Sequence, residues 1–333
     1  MTQPQLPVAI RRRTLIQAGA LAATAAALSA GSARAQSSDA PIKIAVGFPP
    51  GGSGDLFARI LADGLREELN RPVLIENKPG AGGLTVATGF LRAAKDGTQL
   101  MLATGSTAVA APISRAKPPY NPVTDFQWIA LLSYAPFVIA VNPALPVKDL
   151  KELVAYCKAR PGKLSYGHAG LGTTVHLAAE LLKDRAGVFV VDIPYAGSAG
   201  AITDTIAGNV HFIVETSGAL LPFHKAGKLR IIATMAEARE KISPEIPTAR
   251  EAGYDLVAGT YNLLAAPAGT PREIVEPIAR AVTRVMDKPA IQERLVQLGI
   301  TPITQSDPVK ARAYVASEVA RWTPIVKKLN IAL

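Results

Sequence analysis

From Ile42 onward the chain repeats one phrase: a short apolar, β-branched run, a glycine-containing loop, then a stretch whose apolar residues recur at the three-and-four spacing of a half-buried helix. Residues 42–48 read as a first strand, and Leu56, Ile60, Leu61, Leu65 and Leu69 line one face of the helix that follows. A second strand is expected at 73–76, a second helix at about 83–94 and a third strand at 99–103. Parallel strands need crossover helices, and helices on both faces bury both sides of a sheet. This order therefore specifies an open, doubly wound α/β sheet whose ligand edge lies at the strand C-termini.

The middle of the chain carries its own set: a helix near 147–159, a strand at 164–166, a helix at about 173–183, a strand at 188–193, a helix at 199–207 and a strand at 212–215. That is a second α/β lobe, in keeping with a 333-residue chain that exceeds what one core usually organises. After Tyr261 come an extended stretch at 263–266, a helix marked by Ile274, Val275, Ile278, Val282 and Val285, and a last helix with Tyr314, Val315, Trp322, Ile325 and Leu329 on one face. With both ends of the chain in the first lobe, lobe 1 is expected at 36–138 plus 262–333 and lobe 2 at 139–261. The stretches 137–142 and 260–265, both apolar and both leading into proline, are the expected crossings. Few crossing strands let two rigid lobes rotate about a cleft.

The first residues change the picture of where the protein works. Arg11-Arg12-Arg13, an alanine- and leucine-rich stretch over 14–30, and Ala33-Arg34-Ala35 read as a cleavable signal peptide over 1–35, with Gln36 as the mature start. Gln17 and Gly19 break the apolar stretch, which disfavours a permanent anchor. Arg12-Arg13-Thr14-Leu15-Ile16 also resembles the twin-arginine export signal, and a periplasmic location is expected. The formal charge of +10 falls to +6 once the four arginines of 1–35, which has no acid, are set aside. The remaining Lys and Arg are scattered among acids and aromatics are 5%, so neither a phosphate stripe nor a stacking platform is present and nucleic acid is excluded as a partner. A single cysteine and four scattered histidines give no metal-ligand spacing, and no cofactor is expected. Cys157 shares a helical face with Leu150, Leu153 and Val154 and is read as core.

The chemistry is concentrated in glycine loops. Phe48-Pro49-Pro50-Gly51-Gly52-Ser53-Gly54-Asp55 sits between the first strand and the first helix, where bare backbone and unpartnered first-turn amides suit an anion. Its plain alternative is a tight turn with Asp55 capping the helix. Nucleotide-binding glycine signatures are missing. A second loop, ending in Ala81, Gly82 and Gly83, opens the second helix, and a third around Ser106 follows the third strand. Three loops at successive strand ends converge on one edge. In the middle lobe Gly172 and Thr173 open a helix, with Thr173 as cap, and Tyr195 and Glu215 stand beside the expected cleft. His168 and His176 have no acid or nucleophile at triad spacing. Packed, hydrogen-bonded rings are their plain alternative, and a structural acceptor is that of Glu215.

In order and spacing, several motifs together carry a resemblance: Phe48-Pro49-Pro50-Gly51-Gly52-Ser53 with Asp55, Glu76-Asn77-Lys78-Pro79-Gly80-Ala81-Gly82-Gly83, Gly172-Thr173 with His176-Leu177-Ala178, Pro194-Tyr195 with Gly197-Ser198, and Ala266-Pro267-Ala268-Gly269-Thr270-Pro271. The chain resembles the Bug family, the extracytoplasmic solute receptors of tripartite tricarboxylate transporters. The resemblance implies a two-lobed periplasmic-binding-protein (Venus flytrap) fold, each lobe a mostly parallel sheet with helices on both faces. It implies that the first two glycine loops grip a small carboxylate through backbone amides and bridging water, that the other lobe selects the remainder, and that membrane permease subunits are the partner. A monomer without catalytic activity is expected. Gly54 stands for a usual Thr, Val175 for a small polar residue, Ala196 for a common Lys and Glu215-Thr216 for a frequent Asp-Asn pair. These departures point to a less polar mono- or dicarboxylate, aromatic ones included. The competing readings are a ligand-sensing subunit for a membrane signalling protein, and a hydrolase or transferase for which Ser53, Ser106 and Cys157 are the candidate nucleophiles.

Overall fold

The first phrase forms as β1 (Ile42–Val46), α1 (Ser53–Leu69), β2 (Val73–Asn77), α2 (Leu84–Phe90) and β3 (Gln99–Thr104) in a computed structural model that describes residues 40–331. The signal-peptide reading over 1–35 lies outside the described residues. β1 pairs in parallel with β2 on one side and β3 on the other, so three strand C-termini stand side by side. The apolar face of α1 is set by Phe57, Ile60, Leu61 and Leu65, all buried. Leu56, expected on that face, is 40% exposed, because it lies about 100° around the helix from Phe57. The second helix is shorter than the expected 83–94 and ends at Phe90.

The largest departure from expectation is β4 (Phe126–Val141), one 16-residue strand where only 137–142 was expected. Its first part pairs antiparallel with β9 (Gly259–Pro267), which also pairs antiparallel with β3. Its last residues pair antiparallel with β7 (Phe212–Thr216) and β8 (Arg230–Thr234). Pro136, which has no N–H to donate, sits where the partner changes, opposite Gly259. β5 (Ser165–His168) lies parallel to β7 and to β6 (Val191–Pro194), an edge. Both sheets are thus three parallel strands joined to antiparallel crossing strands.

The helices α4 (Leu150–Lys158), α5 (Thr174–Ala186) and α6 (Ser198–Ala207) follow the expected pattern, and Leu150, Leu153, Val154 and Cys157 are all buried. A short α3 (Ala111–Ile113) continues a π-helical turn over Ser106–Ala110. α7 (Ser217–Lys225), which contains Gly218 and Pro222, and β8 had no counterpart in the pattern. α8 (Arg272–Asp287), α9 (Pro289–Gln297), β10 (Thr301–Pro302) and α10 (Pro308–Lys328) complete the chain.

Each sheet is covered on both faces. Ile44, Leu61, Ile278 and Val285 belong to one core and Phe90, Trp128 and Tyr261 to the core across the same sheet. Tyr166, Leu177 and Phe212 lie on one side of the other sheet, Val138, Ala201 and Ile213 on its opposite side. α10 serves both sheets: Ala311 and Val315 pack with Trp128, whereas Trp322 and Val326 pack with Phe212. Among the described residues no helix is long and apolar enough to cross a membrane.

Candidate functional site

At the end of β1, the pairing of Val46 with both Asn77 and Leu102 brings the first two glycine loops together at one sheet edge. α1 begins at Gly52, whose extended backbone (φ −75°, ψ 165°) caps the helix with no side-chain acceptor. The first-turn amides therefore have neither an i−4 carbonyl nor a capping side chain. Gly51, Gly52 and Ser53 are exposed, Phe48 is half-buried and Gly54 is buried. At the second junction four successive residues, Gly80, Ala81, Gly82 and Gly83, take positive φ. α2 again starts without a side-chain cap. Gly83 is obligatory: its φ is 95°, and a Cβ there would lie 2.0 Å from Thr107 Oγ1.

Asp55 joins these two junctions. Its side chain, 1% exposed, accepts hydrogen bonds from the Gly51 amide (2.9 Å), from Asn77 Nδ2 (2.9 Å) and from Arg59 Nε and Nη2 (3.0 and 3.1 Å). Asn77 Nδ2 also donates to the Phe48 carbonyl at 3.0 Å. Burial pushes the Asp55 carboxyl up, but Arg59, the Gly51 amide and Asn77 bring it below its usual value. Its oxygens are committed to holding the loop. The sequence reading had Asn77 only as part of the second loop's motif, not as a partner of Asp55; its place at the C-terminus of β2 was the available signal.

The third and fourth junctions are different, because neighbouring side chains seal them. Ser106 is 5% exposed; its Oγ accepts from the Thr174 amide at 3.0 Å and lies 3.1 Å from Thr174 Oγ1. Thr173 caps α5 by accepting from the His176 amide (3.4 Å) and donates to the Gly170 carbonyl (2.7 Å). The convergence of three open loops is thus corrected to two open junctions, with Ser106 spent on fastening α5 to the first sheet.

Opposite the open pair stand loops of the second sheet. A Cβ at Gly82 would lie 3.4 Å from Thr173 Cγ2 and 3.8 Å from the Leu171 carbonyl, and one at Gly197 would lie 4.0 Å from Pro49 Cγ. Gly172 is buried beside Thr173, within the same facing loop. Pro50 is exposed on the first loop, and Tyr195, half-buried, turns its hydroxyl away to Asp204 at 2.6 Å. Glu215, at the end of β7, is 5% exposed and accepts from the Ser198 hydroxyl and from the Thr216 amide. Burial without a cationic partner pushes its carboxyl up, those two bonds offsetting part of the effect. Thr216 Oγ1 is buried with no hydrogen-bond partner. The rings of His168 and His176 stack at 4.5 Å and both are buried. Of the candidate nucleophiles, Ser106 is engaged, Cys157 is buried with its thiol pushed up to about 11, and Ser53 is exposed in the first turn of α1. Two surface depressions lie elsewhere: about 280 Å³ beside Arg66 and Pro72, at the opposite end of β2, and about 150 Å³ beside Trp128 and Arg312.

Comparison with known proteins matches residues 57–331 to the tripartite tricarboxylate transporter family receptor model. The chain belongs to this receptor family. It is 34% identical over 295 residues to Protein BugT of Bordetella pertussis, covering 88% of this chain and 90% of that protein. A structure of R. palustris Rpa4515 with adipate superposes with a TM-score of 0.84 at 30% identity, covering 88% of this receptor and 98% of that chain. MatC (Rpa3494) from Rhodopseudomonas palustris with bound malate gives 0.81 at 32% identity, with 86% and 98% covered. The receptor therefore has the two-lobed α/β fold of periplasmic binding proteins, as its motifs implied.

Proposed function

We propose that this receptor captures a small carboxylate between the two open glycine junctions and the facing loops at 170–173 and 195–198, and hands it to the permease subunits of a membrane transporter. The observation that carries the reading is the pair of uncapped helix starts, Gly52 and Gly83, at adjacent parallel strand ends. The first offers first-turn amides and the positive end of a helix, and the second offers the main chain of Ala81 and Gly82, since the Gly83 amide donates to the Gly80 carbonyl at 2.9 Å; together they attract an anion without an arginine. The ligands in the related structures, adipate and malate, support a mono- or dicarboxylate here. The lobes run over 36–138 with 262–333 and over 139–261, hinged at β4 and β9. The signal peptide of 1–35 is cleaved and the mature chain works as a periplasmic monomer without turnover.

A thermal-shift screen of malate, adipate, citrate and aromatic carboxylates tests this. A ligand at about a hundred times its dissociation constant stabilises the native state by about 2.7 kcal/mol. Stabilisation by at least one carboxylate, recovered unchanged afterwards, is expected. Uniform silence across the set, or consumption of the hit, contradicts the reading.

A further inference from the structure

His168, His176 and Asp192 bring ligand-type atoms within 4.8 Å of one another, and His168 Nε2 is buried with no hydrogen-bond partner. A divalent metal is the first occupant to consider, since imidazole and carboxylate suit zinc and its neighbours. The hydrogen bonds argue otherwise. His168 Nδ1 accepts from the Gly170 amide at 3.3 Å, and His176 Nδ1 accepts from the Gly172 amide at 3.2 Å. A neutral imidazole that accepts at Nδ1 carries its proton on Nε2, so His168 turns N–H, not a lone pair, toward Asp192, and His176 likewise has no free ring lone pair to give a metal. A ring that binds metal through Nε2 instead donates from Nδ1 to an acceptor, and here Nδ1 meets a main-chain donor.

The two accepted amides belong to one loop. Gly170 and Gly172 both have positive φ, and the segment they bracket carries Leu171 and Thr173, which face Gly82 of the second open junction. From this geometry we infer that His168 and His176 act together as positioning residues, each ring holding one amide of the 170–173 loop so that it keeps its place opposite the glycine junctions. The inference rests on the binding reading for its purpose, but the hold itself exists without ligand. A protonated ring has no acceptor at Nδ1, so the hold ends when the rings take up a proton. The charged and titratable groups around the pair are Asp192 on β6, whose Oδ2 is 3.6 Å from His168 Nε2, Glu180 and Lys183 on α5, and Tyr166 on β5, whose hydroxyl donates to Glu180. Burial pushes the pKa of both rings down from the ordinary imidazole value, that of His176 to about 4.

Amide hydrogen exchange of the ligand-free receptor, read residue by residue by NMR, tests this apart from any binding. The control is the Tyr195 amide, which donates to the His168 carbonyl and needs no ring nitrogen. Between about pH 7 and pH 3 the protection factors of Gly170 and Gly172 should fall by about tenfold or more while that of Tyr195 holds. His176→Asn, whose side-chain oxygen can stand in for Nδ1, should keep Gly172 protected and remove the acid response. His176→Gln, whose polar group reaches the Nε2 position, should lose the protection at neutral pH. Loss at Tyr195 in parallel with the glycines, or no acid response at either glycine, overturns the inference. So does a Zn²⁺ titration that shifts both imidazoles, which would show a metal site. Failure of the carboxylate screen would leave these outcomes unaltered, so the two proposals fail separately.

Discussion

Replacing Asp55 by alanine would remove the tie between the two open junctions, and its cost can be worked out bond by bond. The Gly51 amide and Asn77 each donate to the buried carboxylate at 2.9 Å. Hydrogen bonds to a charged group contribute about 1.5–3 kcal/mol each, less where the freed partner regains water or another acceptor. Gly51 is exposed and Asn77 keeps the Phe48 carbonyl, so the lower end applies to both. The Arg59 pair adds little, since the arginine side chain is 50% exposed and screened by water. The charge at the start of α1 adds about 0.3–1 kcal/mol. Asp55→Ala should therefore destabilise the receptor by about 3–4 kcal/mol, and Asp55→Asn by less. Urea unfolding followed by both circular dichroism and tryptophan fluorescence measures this, provided the two transitions coincide. The folded carboxyl lies below its unfolded value of 3.8, so this stability is present above that pH and is lost as pH falls through the folded value. The mutant and parent curves should converge in strong acid. A loss under about 0.5 kcal/mol at neutral pH, the scale of an ordinary surface change, would refute the argument. So would a double-mutant cycle with Asn77→Ala showing no coupling.

Other outcomes follow from the same geometry. Gly83→Ala combines a positive φ with a Cβ 2.0 Å from Thr107 Oγ1, and should cost about 2–4 kcal/mol in the same unfolding assay. Gly52→Val meets neither problem, because Gly52 has extended backbone and its nearest neighbour to an added Cβ is 3.8 Å away. It should leave the fold intact and weaken carboxylate binding by at least about tenfold, read by calorimetry. His176 is neutral in the fold down to about 4, below its ordinary 6.5. The stability this represents, about 3 kcal/mol, should disappear as pH falls from 6.5 to 4 and then level off. An acid titration of His176→Asn without that limb is the control.

The repeating strand, loop and helix pattern was readable because each element is amphipathic at its own period. Apart from β4 and the π-helical turn with α3, the element boundaries from β1 to β7 differ from expectation by a few residues. β4 was harder to read. Its burial is nearly unbroken over 16 residues, so no polar alternation marked where it changes partner, and Pro136 looked like an end. α7 was hidden by Pro222 and Gly218, which tertiary packing overrides. The glycine loops were legible as loops, but their openness was not. Ser106 and Thr174 are 68 residues apart in sequence and meet only through the packing of α5 against the first sheet. Asp55 was legible as a cap candidate, but α1 has no side-chain cap and Asp55 instead ties the Gly51 amide to Asn77. The orientation of His168 and His176 depends on which ring nitrogen meets which amide, and no pattern of residue types carries that information.

The most direct measurement is a carboxylate titration of ¹⁵N-labelled receptor, using whichever acid gives the largest thermal shift, with every backbone amide followed. The amides of Ser53, Gly54, Ala81 and Gly82 should move most and together. Movement confined to other amides, with these four still, would contradict the claim that the two uncapped helix starts hold the anion.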